Sequence, residues 1–280
     1  MVTTTKAMSD HTVRQATLGV DLDERRLPAT ILRLGWPIAV EEVGYTILGV
    51  VDTVLVGQLV GREALAAVGL GTLIFFIPLS LSLALGVGTM AVVARDTGRG
   101  DIEGVNRALR STVFVAAGMG LVMTAALMLS AEWVMRIMGA EEDVVPLGVT
   151  FIRAASATVV LQTVLYSVSA AFRGTGDTRT PMLLMLLANF LNAILAYLLI
   201  AGPLFLPELG VLGSGLAYSI ASGVAGVILI GLLMRGSGVL KYRLNQALDV
   251  EWASAKRILN VGIPAALERH FAIGSARAAP

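Results

Sequence analysis

Six stretches of this chain, at roughly 34–57, 66–92, 109–130, 147–171, 181–203 and 212–234, are apolar nearly all the way round a helical wheel. A hydrocarbon core about 30 Å thick takes about 20 such residues as a helix, and a backbone in lipid has to satisfy its own hydrogen bonds. Each stretch is therefore expected to cross a membrane as an α-helix. A soluble bundle would show a polar stripe along each helix, and these stretches lack one. The fold class that follows is an all-α integral membrane protein, a six-transmembrane-helix bundle. Composition agrees, because only 15% of the 280 residues are charged where a soluble domain carries about 25%. A net charge of +1 gives no reason to expect nucleic acid as a partner.

Charge placement orients the bundle. Sixteen Lys and Arg fall in the N-terminal tail, the second and fourth loops and the stretch after span six, while the opposite loops hold only Arg62 and Arg136. The positive-inside rule then puts the N-terminus in the cytoplasm, with the protein multi-pass in the cell (inner) membrane. Residues 1–30 read as a polar cytoplasmic tail without the apolar core of a signal peptide. Residues 31–235 read as the six-helix lobe and 236–257 as a cytoplasmic linker.

Residues 258–280 begin something again. ILRLGWPIAVEE (31–42) aligns with ILNVGIPAALER (258–269), with identities at Ile31/Ile258, Leu32/Leu259, Gly35/Gly262, Pro37/Pro264, Ala39/Ala266 and Glu41/Glu268. A second copy of the first span is expected to start there and break off about ten residues later, short of a crossing. Parallel-repeat transporters place the substrate between two such halves. The expectation is thus a fragment, a frameshift product, or a half-transporter that pairs with another chain.

An ionisable group at mid-bilayer costs about 2.5–3.5 kcal/mol on insertion scales, so it marks function by default. Glu41, Glu42 and Asp52 lie inside span one. At about 100° per residue Glu41 and Asp52 share a face, about 16 Å apart, with Tyr45 between them. Asp52 is the stronger candidate, since Glu41 can reach water at the inner interface. Further polar residues recur at helical spacing: Gln162, Tyr166 and Ser169; Asn189 and Asn192; Ser214, Tyr218 and Ser222. Helix packing accounts for most small polar residues, but two amides on one buried face need partners or a wet cavity. With no cysteine, and histidine only at His11 and His270, neither a thiolate nor a metal site is expected. FRGTGDTRTP (172–181) lacks the Gly-Lys-Ser/Thr ending of a phosphate loop. It reads as a cytoplasmic turn in which Thr180 caps span five.

LGWPIAVEEVGYTILGVVDTVLVGQLVGREALAAVGLG (34–71), ARDTGRGDIEGVNRALR (94–110), FRGTGDTRTPMLLMLLANFLNAILAYLLIAG (172–202) and ELGVLGSGLAYS (208–219) resemble successive signatures of multidrug and toxic compound extrusion (MATE) transporters. VGIPAALE (261–268) resembles the opening of their seventh helix. The resemblance implies one lobe of a twelve-helix antiporter. Such a protein exports amphipathic, often cationic drug-like molecules against protons or sodium, with no cofactor. It implies that Asp52 is the coupling-cation site with Asn192 beside it, and Glu41, Tyr45, Gln162, Asn189 and Tyr218 are candidates to line the cavity. The family often has an aspartate four residues after that asparagine, where this chain has Ala196. Losing a carboxylate favours proton over sodium coupling. The partners implied are small-molecule substrates, the lipid bilayer, and a second lobe or a second copy.

Three alternatives stay open. A lipid-linked oligosaccharide flippase of the same superfamily would need basic residues in its cavity, and Arg153 alone is a candidate. An intramembrane hydrolase would need cooperating groups, and carboxylates about 16 Å apart do not cooperate. A half-protein without activity of its own is the third.

Overall fold

A computed structural model describes residues 27–202, 207–236, 238–240 and 251–278, with backbone only at 27, 29 and from 266 onward. Among the described residues there are eight helices and no extended strand. They are α1 (Leu27–Leu59), α2 (Arg62–Gly98), α3 (Ile102–Ile137), α4 (Val144–Ser156), α5 (Val159–Gly174), α6 (Arg179–Ala201), α7 (Gly210–Arg235) and α8 (Trp252–Ala278). Four of them, α2, α3, α6 and α7, are each long and apolar enough to cross a membrane, and α4 with α5 makes a fifth span. α1 has the length, 33 residues or about 50 Å, and carries Arg33, Glu41, Glu42 and Asp52 along it. The tail expected over 1–30 lies outside the described residues apart from its last four, which are already helical.

The fourth span departs from the continuous helix expected over 147–171. α4 and α5 meet at 52° with neither proline nor glycine at the break. Ser156 Oγ donates to the Ile152 carbonyl four residues back at 2.6 Å, a bond that competes with the helix ladder. The carbonyl of Ser156 itself accepts from Thr124 Oγ1 at 3.3 Å. The break thus leaves its freed acceptor partnered by α3.

The helices assemble around α2 and α5. α6 and α7 form an antiparallel pair, α5 lies against α2 and α3, α1 runs chiefly along α6, and α8 lies against α2. Small residues allow the closest crossings. A Cβ at Gly213 of α7 would stand 2.5 Å from the Leu199 carbonyl oxygen, and one at Gly120 of α3 would stand 2.7 Å from Val160 Cα. This is how helices associate where lipid removes the hydrophobic drive between them. Two apolar cores result. One surrounds Leu109, Phe172, Leu229 and Leu233, and the other surrounds Phe75, Met135, Phe151 and Ile152.

Two local expectations are corrected. α6 is capped by Asp177, whose carboxylate accepts from the Arg179 and Thr180 amides at 3.1 and 3.0 Å and from the Thr180 hydroxyl at 2.6 Å. Thr180 is therefore a donor to the cap, because an acidic side chain before the first turn meets the free amides better than a hydroxyl inside it. The second-repeat helix starts at Trp252, six residues before the aligned frame, and reaches Ala278.

Candidate functional site

Two turns before the end of α1, the Asp52 side chain opens into a cavity of about 230 Å³. Its polar wall is made by Tyr45 and Asp52 of α1, Thr72 of α2, Gln162 of α5, Asn192 of α6, and Ser214 and Tyr218 of α7. The rest of the lining is largely aromatic and apolar, including Phe75, Phe76 and Leu79 of α2 and Phe151 and Ala155 of α4. Asp52 is its one charged group. Ser214 Oγ donates to the carboxylate at 3.3 Å, and Gln162 Nε2 donates to the Tyr218 hydroxyl.

The walls are fixed by packing. Phe75 meets Phe151 edge to face with centroids 6.1 Å apart, and meets Tyr218 likewise at 6.2 Å. The break between α4 and α5 matters here, since Phe151 and Ala155 reach the cavity from one side of it and Gln162 from the other. Asn192 is 5% exposed, and its Oδ1 is buried without a hydrogen-bond partner. A buried amide oxygen left unpaired costs free energy, so a donor entering the cavity is favoured at that position.

Of the residues singled out from sequence, Asp52, Asn192, Tyr45, Gln162 and Tyr218 come together around this cavity. Glu41 and Asn189 do not line it. Glu41 receives both its bonds from Arg173 Nη2, at 2.7 Å to each carboxylate oxygen, and the two side chains are 14% and 17% exposed. That pair joins α1 to α5, which otherwise barely touch. Asn189 lies against the bare backbone of α1 at Gly44, where an added Cβ would be 3.4 Å from Nδ2. It contributes to the α1–α6 seam. Ser214, one turn before Tyr218, also lines the cavity. Nothing in the spacing marks Thr72 or the phenylalanines of α2 and α4 as lining, since apolar residues fill every face of these spans.

A family model described as MatE matches residues 37–198, more than half of the chain. A probable multidrug resistance protein NorM of Thermotoga maritima is 29% identical over 239 residues, covering 85% of this chain and 51% of that protein. Its namesake from Photorhabdus laumondii is 30% identical over 242 residues, covering 85% and 52%. A solved structure of an outward-facing multidrug resistance MATE family transporter of the MOP superfamily superposes with a TM-score of 0.79 at 27% identity, covering 91% of this chain and 54% of that one. A MOP superfamily transporter from Pyrococcus furiosus superposes at 0.76 with 28% identity, covering 85% and 51%. The chain spans about half the length of the curated relatives it matches. Signature segments, shared fold and the extent of the match to the family model agree that the chain belongs to the MatE family.

Proposed function

We infer that this chain forms the N-terminal lobe of a cation-coupled antiporter that exports amphipathic, often cationic small molecules, with the proton rather than sodium as coupling ion. The observation that carries the reading is Asp52, a lone carboxylate facing a cavity whose other polar groups are neutral. Such a group attracts either a proton or a cationic substrate and does not hold both charges at once. The aromatic part of the lining suits an amphipathic molecule, and a cation over an aromatic face gains further attraction.

Protonation changes what Asp52 can do. The ionised carboxylate only accepts hydrogen bonds, from Ser214 here, whereas the protonated form also donates. Asn192, which also lines the cavity from α6, has a buried Oδ1 without a hydrogen-bond partner. A proton on Asp52 offers a donor to such an acceptor and removes the charge that held a cationic substrate. Sodium would need several oxygen ligands, and the second carboxylate common in the family is replaced by Ala196, 1% exposed. The cavity carries no Lys or Arg, which favours this reading over a flippase holding a pyrophosphate. The lobe acts together with a second lobe, with its N-terminus in the cytoplasm of the inner membrane.

The test is ethidium transport in proteoliposomes, with the chain supplied with the C-terminal half of a NorM relative and driven in turn by a proton or a sodium gradient. The proton gradient alone is expected to drive exchange. Transport driven only by sodium refutes the proton assignment, and transport driven by neither refutes the antiporter.

A further inference from the structure

Two polar stripes run from the Asp52 cavity toward the start of α1. On α1, Glu41, Tyr45 and Asp52 fall within about 40° of one direction around the helix, and on α5 Gln162, Tyr166, Ser169 and Arg173 fall within about 60°. Each stripe covers the same eleven-residue step, about 16 Å of helix. The stripes meet at both ends. Glu41 is bonded to Arg173, and Asp52 and Gln162 line one cavity, so the two helices run antiparallel with their polar faces toward the same seam.

Hydroxyls occupy the distance between the ends. Tyr45 and Ser169 each stand about 6 Å along their helix from the Glu41–Arg173 pair, and Tyr166 about 10 Å. Tyr166 is within electrostatic reach of Glu41, Glu42, Tyr45 and Tyr218, and Tyr218 accepts from Gln162 at the cavity end. α6, along which α1 runs, brings the neutral Asn189 to Gly44. Ser169 is fully buried, and its Oγ has no hydrogen-bond partner. Buried hydroxyls are ordinarily paired, and a water in the seam would pair this one. A mere tether between α1 and α5 needs the ion pair alone and leaves Tyr166 and the orphan Ser169 unexplained.

We propose that this seam is the route by which the coupling proton leaves Asp52, with Glu41 as its acceptor on the cytoplasmic side. The inference rests on the proton-coupled reading of the function. The Asp52 O–H bond breaks and its electron pair stays on the carboxylate. Water in the seam and the hydroxyls of Tyr45, Tyr166 and Ser169 each take a proton on a lone pair and give up their own. The last proton binds the Glu41 carboxylate, which loses its charged contact with Arg173. Glu41 is 14% exposed, so water reaches it and carries the proton away, and the pair with Arg173 closes again.

Proteoliposomes holding the chain with the C-terminal half of a NorM relative separate proton release from drug movement. Ethidium accumulation driven by a proton gradient requires release, whereas exchange of ethidium across the bilayer at equal pH does not. Glu41→Leu with Arg173→Met removes the acceptor and keeps the α1–α5 contact apolar. Tyr166→Phe removes one relay hydroxyl and leaves the ion pair intact. Both proteins are expected to keep the parent's exchange while gradient-driven accumulation falls, about 100-fold for the first and about 10-fold for the second, and Glu41→Asp is expected to retain accumulation. Undiminished accumulation in both variants overturns the proposal. An equal fall in accumulation and exchange also overturns it, since that is what a purely structural pair gives. A parent that exchanges ethidium but shows no proton-driven accumulation overturns the proton-coupled reading as well, whereas a proton-driven parent with proton-driven variants leaves that reading standing and removes the relay alone.

Discussion

Breaking the Glu41–Arg173 pair should loosen the lobe. At 2.7 Å and an effective dielectric of about 20 the gross attraction is about 6 kcal/mol, much of which desolvation of the two ions takes back. Removing one partner of a fully buried pair costs about 3–5 kcal/mol because the other charge is left uncompensated. With each side chain about one-sixth exposed, solvent screening reduces this to about 2–4 kcal/mol. Glu41→Gln and Arg173→Gln are each expected to destabilise by that amount, whereas Glu41→Leu with Arg173→Met should come within about 1 kcal/mol of the parent. A double-mutant cycle on steric-trap unfolding in bicelles measures the coupling directly. A coupling below about 0.5 kcal/mol would refute the argument that this pair ties α1 to α5.

Other consequences are equally checkable. Gly213→Ala drives a Cβ to 2.5 Å from the Leu199 carbonyl oxygen and should cost about 1–3 kcal/mol in the same unfolding assay. Gly118→Ala, with nothing within 4 Å of its Cβ, should stabilise α3 by about 0.5–1 kcal/mol. Tyr218→Phe keeps the ring against Phe75 but leaves the Gln162 amide without its acceptor. It should lower stability by about 1–2 kcal/mol and weaken ethidium binding measured by fluorescence anisotropy; unchanged affinity would place the substrate elsewhere. Ala196→Asp, one turn beyond Asn192 on the same helix, adds a second carboxylate and should make transport respond to a sodium gradient, which transport assays in sodium-free and sodium-loaded vesicles would show.

Five of the six expected spans are legible because lipid imposes length and apolarity on each one separately, and those properties are local. The cavity was partly legible for the same reason. Asp52, Gln162, Asn192 and Tyr218 stand out as polar groups in apolar runs, and helical spacing assigns them to faces. What remained hidden depends on distant partners. Glu41 reads as a cavity group until Arg173, 132 residues away, comes to rest against it. The break in span four has no proline or glycine to announce it, and the Ser156 carbonyl at the break accepts from Thr124 Oγ1 of α3, 32 residues away. The aromatic wall was hidden because Phe75 and Phe151 look like any other lipid-compatible residue until two helices cross.

The central claim is that Asp52 couples proton entry to export. Its most direct test is ethidium efflux from a drug-sensitive strain lacking its own exporters, with the chain co-expressed with a second lobe and a protonophore added or withheld. Protonophore-sensitive efflux is predicted for the parent and its loss for Asp52→Asn expressed at the same level. Undiminished, protonophore-sensitive efflux by Asp52→Asn would contradict the account.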